Sequence, residues 1–229
     1  QAQLHVSIVR SIDSIRLDLI RSIDVKKHWL YGCCFLPGGR FAFTSNDDKC
    51  IIVMAEDGTV DCQINVKPRG VIDITHIPFT NTLAVTTGSD DKRFINIVNR
   101  DTRKIIRYIP TNTKNYGITY KYGDLIYCAS DVGICRMNIN SGEITTIKEI
   151  LDMSPFSYIT THQDKLYYTN FNAHTVTCCS MDRTTKWEFN DKKVLRNPQG
   201  ISVDTYGYVY VVGYDSYNLI VISPDGDRH

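Results

Sequence analysis

The residues whose types could carry chemistry here are eight cysteines, four glutamates, six histidines and, among many aspartates, Asp73 and Asp204. The cysteines would suit zinc or a nucleophile, but neither spacing is present. Cys33 and Cys34 are adjacent, as are Cys178 and Cys179, and Cys50, Cys62, Cys128 and Cys135 stand alone. No C-x-x-C with a neighbouring His appears, so a structural zinc site has no ligand set. All eight fall in or beside apolar runs, which reads as reduced, mostly buried thiols of a cytoplasmic protein. No G-x-S-x-G elbow and no Ser/His/Asp spacing offers an activated serine.

Where the acids and histidines stand depends on the elements that hold them, and these repeat. A first-strand signal recurs as "YGCCFLP", "RGVIDIT", "YGITYKY", "SYITTHQ" and "QGISVDT", at intervals of about 40 to 45 residues. Each is followed by a second short run ("GRFAFTS", "NTLAVTT", "GDLIYCA", "DKLYYTN", "GYVYVVG") and a third ("KCIIVMA", "RFINIVN", "GICRMNI", "HTVTCCS", "NLIVISP"). Then come the polar turns "EDGT", "RDTR", "NSGE", "MDRT" and "PDGD", four of which lead into a fourth run. β-branched and aromatic residues bounded by Gly, Asn, Asp and Pro read as strands, and four strands per 40 to 45 residues predict an all-β propeller. The fifth unit has three strands. The N-terminal "SIRLDLIRSID" has the pattern of a lone fourth strand. Two closures follow: Ile15 to Ile23 completes a fifth and last blade, or a sixth blade lies largely outside this sequence.

Composition agrees with one globular domain, with 229 residues, 42% hydrophobic, and Lys+Arg 26 against Asp+Glu 25. No run reaches the roughly 18 apolar residues of a membrane span, and the N-terminus has no apolar signal core. A net charge of +1 supplies little general attraction for phosphates.

"LRNPQGISVDTYGYVYVVGYDSYNLIVISPDG" resembles the NHL repeat, with its Pro-x-Gly-Ile-x-Val-Asp opening and Val-x-x-Pro-Asp-Gly close. With "GCCFLPGGRFAFTS", "NTLAVTTGSDDK" and "NYGITY", the chain is similar to the propellers of tripartite-motif-like (B-box/coiled-coil/NHL) proteins of mollusc type. The resemblance implies six blades, with 14–229 the propeller and 1–13 a linker or extension. It also implies a partner-selecting module of a RING-type ubiquitin ligase, or else an RNA-binding domain. Zinc-bearing and dimerising coiled-coil segments would lie outside this sequence.

Within a propeller, Glu56 and Glu143 fall in hairpin turns and Glu149 and Glu188 at outer strands, so none faces the central channel. Asp73 and Asp204 belong to the Val/Ile-Asp pattern of the repeat and are expected to close turns. His76 and His162 follow first strands, away from the usual binding face. The expectation is therefore a non-enzyme without cofactor or metal. Loops leading into the first strands carry Lys27, Trp29, Tyr31, Arg69, Lys114, Tyr116, Phe156, Tyr158 and Arg196, and loops joining second to third strands carry Arg93, Phe171, Tyr214 and Tyr217. Aromatics and arginine gathered in loops suit a protein or peptide partner. Tyr31, Tyr116 and Tyr158 have the alternative role of closing the channel mouth. Single-stranded or hairpin RNA is the second candidate, against which Asp47, Asp48, Asp90, Asp91, Asp131 and Asp215 interrupt the basic residues.

Overall fold

The computed structural model describes residues 11–20, 22, 29–67, 70–88 and 93–229. It folds as five antiparallel blades. Blade one is β1 (Leu30–Leu36), β2 (Arg40–Ser45), β3 (Cys50–Met54) and β4 (Val60–Asn65). Blade two is β5 (Ile74–Ile77), β6 (Thr82–Thr86), β7 (Phe94–Asn99) and β8 (Lys104–Pro110). Blade three is β9 (Asn115–Lys121), β10 (Asp124–Ala129), β11 (Gly133–Asn138) and β12 (Ile144–Glu149). Blade four is β13 (Ile159–His162), β14 (Lys165–Asn170), β15 (Thr175–Ser180) and β16 (Thr185–Phe189). Blade five is β17 (Pro198–Val203), β18 (Val209–Gly213) and β19 (Asn218–Ile222).

Each blade is a meander in which every strand pairs with its sequence neighbour. The third strands of blades one and four are buried along their whole length, and that of blade one reads in the sequence as the unbroken apolar run "CIIVM". The fourth strands alternate, as β4 does, because only one of their faces meets another blade. The turns between them behave as expected. In "EDGT", Gly58 takes φ +90° and donates its N–H to the carbonyl of Ala55, while Asp57 accepts the N–H of Thr59.

The core is a series of layers between neighbouring blades. Ile51, Val53 and Ile64 of blade one pack on Val71, Ile74, Leu83, Val85 and Val98 of blade two. Ile95, Ile97 and Ile109 of blade two meet Ile118, Leu125, Tyr127 and Met137 of blade three. Similar layers join blades three and four through Ile126, Ile134, Leu166 and Cys179, and blades four and five through Tyr167, Val176, Val209 and Val211. Each large side chain so buried contributes roughly 1.5–3 kcal/mol.

Hydrogen bonds reinforce these layers near the axis, where the first strands of successive blades lie side by side. Thr44 accepts the N–H of Gly32 at 2.8 Å and donates at 2.7 Å to the carbonyl of Ile72 in the next blade. Thr169 accepts the N–H of Tyr158 at 2.9 Å and donates at 3.0 Å to the carbonyl of Gln199. Thr86 accepts the N–H of Asp73 at 2.9 Å. A Cβ on Gly32 would meet Asp73, and one on Gly117 would meet Tyr158, so these first strands approach more closely than a larger residue allows.

Five blades is the count of the closure that needs no sixth. The six-blade expectation finds no support among the described residues. The proposed lone fourth strand is corrected in part. Ile12, Asp13, Ile15 and Leu17 do run beside Leu219, Ile220 and Val221 of β19 across a cleft of about 420 Å³, and Arg228 bonds Asp13. Residues 15–20 are not a strand, however, and the fifth sheet has three strands among the described residues. Leu17, Leu19 and Ile20 all remain exposed, so this segment gains too little burial to zip onto the blade. Residues 21 and 23 of the expected strand lie outside the described residues.

Candidate functional site

The meander brings the two expected loop sets to one end of the blades. There Phe156 leads into β13, Phe171 lies between β14 and β15, and Tyr214 lies between β18 and β19. Their rings form a continuous row across blades four and five. Phe156 and Phe171 are 5.2 Å apart between centroids and tilted by 54°, and Phe171 and Tyr214 are 6.0 Å apart and tilted by 50°.

The loops beneath are held by specific bonds. The N–H of Asn197 donates at 3.0 Å to Nδ1 of His174, and its side-chain amide donates to the carbonyl of Phe171. The N–H of Arg196 donates to Ser216 Oγ, and its guanidinium donates at 3.0 Å to the carbonyl of Asp215. Arg196 therefore braces the loop that carries Tyr214 while its side chain stays exposed. Tyr217, in the same loop, is 91% exposed with φ +52°.

Other expected face residues stand elsewhere. Arg93 and Lys114 line a separate cleft of about 270 Å³ with Ser130 and Asp131, between blades two and three. Trp29 is 69% exposed just before β1. Lys27 and Arg69, like Asp90 and Asp91, lie outside the described residues.

Two expected face residues are corrected. Tyr116 is only 5% exposed and Tyr158 8%, so neither offers surface to a partner. Tyr116 is the second residue of β9 and Tyr158 directly precedes β13, at the close contact between blades three and four, where Tyr116 joins the apolar layer. Burial pushes both hydroxyls to higher pKa. The Tyr158 hydroxyl donates at 2.8 Å to the carbonyl of half-buried Tyr31, linking blade four to blade one. Trp29, Tyr116 and Phe156 therefore do not form one exposed set.

The two aspartates also part company. Asp204 follows β17 and closes a turn as expected, accepting the N–H groups of Tyr206 and Tyr208 at 2.9 and 3.0 Å. Asp73 instead precedes β5 and is buried, with Oδ2 accepting the N–H of Ile118 at 2.8 Å from blade three. Burial raises its pKa to about 7 from 3.8, against the lowering effect of backbone N–H groups at Ile118 and Ile74. Sequence reading missed this inter-blade role, although Asp73 and Asp204 stand on opposite sides of their strands. It also missed the threonine recurring near the end of second strands in "FTS", "VTT" and "YTN".

Glu188 accepts a hydrogen bond from Thr177 within blade four. Among the described residues no three of His, Cys, Asp and Glu gather as metal ligands. All eight cysteines are free thiols, and burial raises that of Cys179 to about 11, leaving it a poor nucleophile at neutral pH. No helix among the described residues is long and apolar enough to cross a membrane.

This architecture is that of a β-propeller. Solved structures share it: a nidogen/laminin complex aligns with a TM-score of 0.74 at 14% identity, over 86% of this chain and 76% of that one. A protein of unknown function from Bacteroides thetaiotaomicron aligns at 0.71 and 14% identity, over 86% of this chain and 55% of that one. Virginiamycin B lyase from Staphylococcus aureus aligns at 0.68 and 19% identity, over 86% of this chain and 68% of that one. The chain thus spans little more than half the length of the Bacteroides protein. At these identities the likeness is one of fold alone. No protein-family model and no curated protein matches the sequence.

Proposed function

We propose that this chain is a non-catalytic recognition propeller that holds a protein or peptide partner on the loop face of blades four and five. The observation that carries this reading is the Phe156–Phe171–Tyr214 row, built by three loops from two blades. Phe156 and Tyr214 are exposed and Phe171 between them is half-buried; large aromatics on a braced frame bind with little loss of side-chain freedom, which favours them at interaction hot spots. A fold neighbour named for a complex of two proteins, nidogen and laminin, is in keeping with it.

The resemblance to tripartite-motif-like proteins extends the reading. Residues 14–229 are then the propeller and 1–13 an extension, and the task is to select partners for a ubiquitin ligase. Ligase chemistry and dimerisation belong to RING and coiled-coil segments beyond this sequence. The setting is cytoplasmic, where eight free thiols stay reduced.

The test compares partner capture from cell lysate by the wild-type chain and by Phe171→Ala and Tyr214→Ala variants, with thermal unfolding measured alongside. Capture should fall in both variants while the melting temperature changes little. Undiminished capture, or loss that merely follows unfolding, rules the reading out.

A further inference from the structure

We infer that the cleft between blades one and two binds a phosphate monoester through Arg40, Arg100 and Arg103. This site goes beyond the partner-recognition reading. It is built from the starts of β2 and β4 and the turn between β7 and β8, which lie at the opposite end of the blades from the loops that carry the aromatic row.

Arg103 supplies the first observation. In the turn between third and fourth strands one residue takes a positive φ, and glycine fills that place in blades one and three, as Gly58 at +90° and Gly142 at +75°. Blade two puts Arg103 there at +54°, and blade four puts Arg183 there at +81°. A residue with a Cβ is strained in this region. In blade four the arginine serves the fold, since its guanidinium donates at 3.2 Å to the carbonyl of Thr146 in blade three. Arg103 does not: its exposed side chain has no hydrogen-bond or ion-pair partner among the described residues. Backbone strain with no return to the fold points to a ligand.

Arg100 supplies the second. It is half-buried, yet its guanidinium is held at 2.8 Å by the neutral side-chain oxygen of Asn81 and pairs with no carboxylate among the described residues. Its charge is felt nearby, where the pKa of His76 is lowered first by burial and then by Arg100. The turn carrying both arginines is fixed, with Asn99 accepting the N–H of Thr102 at 2.8 Å. Arg40 lines the same cleft from blade one, its Nε 2.9 Å from Asp61. The cleft, of about 390 Å³, thus carries three guanidinium groups against Asp61, already paired, and Asp101. Guanidinium forks from two blades reach a ligand from different directions. A carboxylate presents two oxygens in one plane, whereas the three free oxygens of a phosphate ester point three ways and can be shared among separate forks.

Isothermal titration calorimetry on the full 229-residue chain tests this. The probes are inorganic phosphate, O-phosphoserine, a phosphoserine peptide with its unphosphorylated counterpart, and acetate. The phosphate-bearing probes should bind, and acetate and the unphosphorylated peptide should not. Tighter binding of the phosphopeptide than of O-phosphoserine marks a phosphorylated side chain as the source of the ester, and equal binding marks a small free one. Arg100→Gln and Arg103→Gly should each weaken phosphate binding at least about tenfold, and Asp101→Asn should tighten it. Arg103→Gly also separates a site from a scaffold. With glycine at the positive φ its melting temperature should hold or rise while binding is lost. Arg183→Gly, which breaks the bond to Thr146, should leave phosphate binding intact. Undiminished binding by Arg103→Gly, a fall in its melting temperature, acetate bound as tightly as phosphate, or no binding of any phosphate probe overturns the inference.

Discussion

Asp73 is a carboxyl placed where its charge is unwelcome. Its folded pKa of about 7 stands above the unfolded value of 3.8 because burial penalises the ionised form. A raised carboxyl pKa means the folded state binds the proton more tightly. Stability is therefore fullest below about pH 4 and is lost as pH rises toward 7, by a total on the order of 4 kcal/mol at ~1.36 kcal/mol per unit. The groups its charge reaches, Cys33, Cys34, Cys128 and Tyr158, are thiols and a phenol that offer no compensating cation. Asp73→Asn keeps an acceptor for the Ile118 N–H and removes the ionisation. It should raise the melting temperature at pH 8 and flatten its dependence between pH 5 and 8. A wild type that gains stability over that range relative to the variant contradicts this account. The sequence shows an aspartate beside isoleucine but not which side of the strand it occupies, and that placement decides between a turn and a buried bridge.

At the scale of elements, strand patterns were legible because each has one physical cause. The unbroken apolar run of β3 marks a strand buried on both faces, and the mixed polar and apolar run of β4 marks an outer strand. The candidate site was legible only in part. Phe156, Phe171 and Tyr214 come from the two loop sets the repeat predicts, but loop residues have no periodicity to show which are exposed. Tyr116 and Tyr158 come from the same loop set as Phe156, yet Tyr116 is the second residue of β9 and Tyr158 directly precedes β13, whereas Phe156 stands three residues before β13. The N-terminal segment had strand alternation without a surface to bury it. Thr44 belongs to this scale, since its hydroxyl ties the first strand of blade one to that of blade two. Thr44→Val keeps shape and strand preference while leaving the Gly32 N–H and the Ile72 carbonyl short of a partner. Urea unfolding should show a loss of about 1–3 kcal/mol with an unchanged slope. A neutral result assigns the cohesion of these blades to the apolar layer alone.

The whole molecule is a stack of layers in which each blade leans on its neighbours, and among the described residues β19 is the outer strand of a three-stranded sheet. Asn218, Leu219, Ile220, Val221 and Ile222 carry no charge, and Ile15 and Leu17 lie near them in a segment that forms no strand. Solubility is where this matters. An uncharged strand edge is a template on which a second molecule can align its own backbone, and such contacts grow with protein concentration. Val221→Lys places a charge on that edge. Dynamic light scattering at rising concentration should show less association for the variant than for the wild type, and identical growth of the two would locate the sticky surface elsewhere. The same strand that finishes the fifth blade thereby sets how crowded a solution this protein can occupy before its copies begin to adhere.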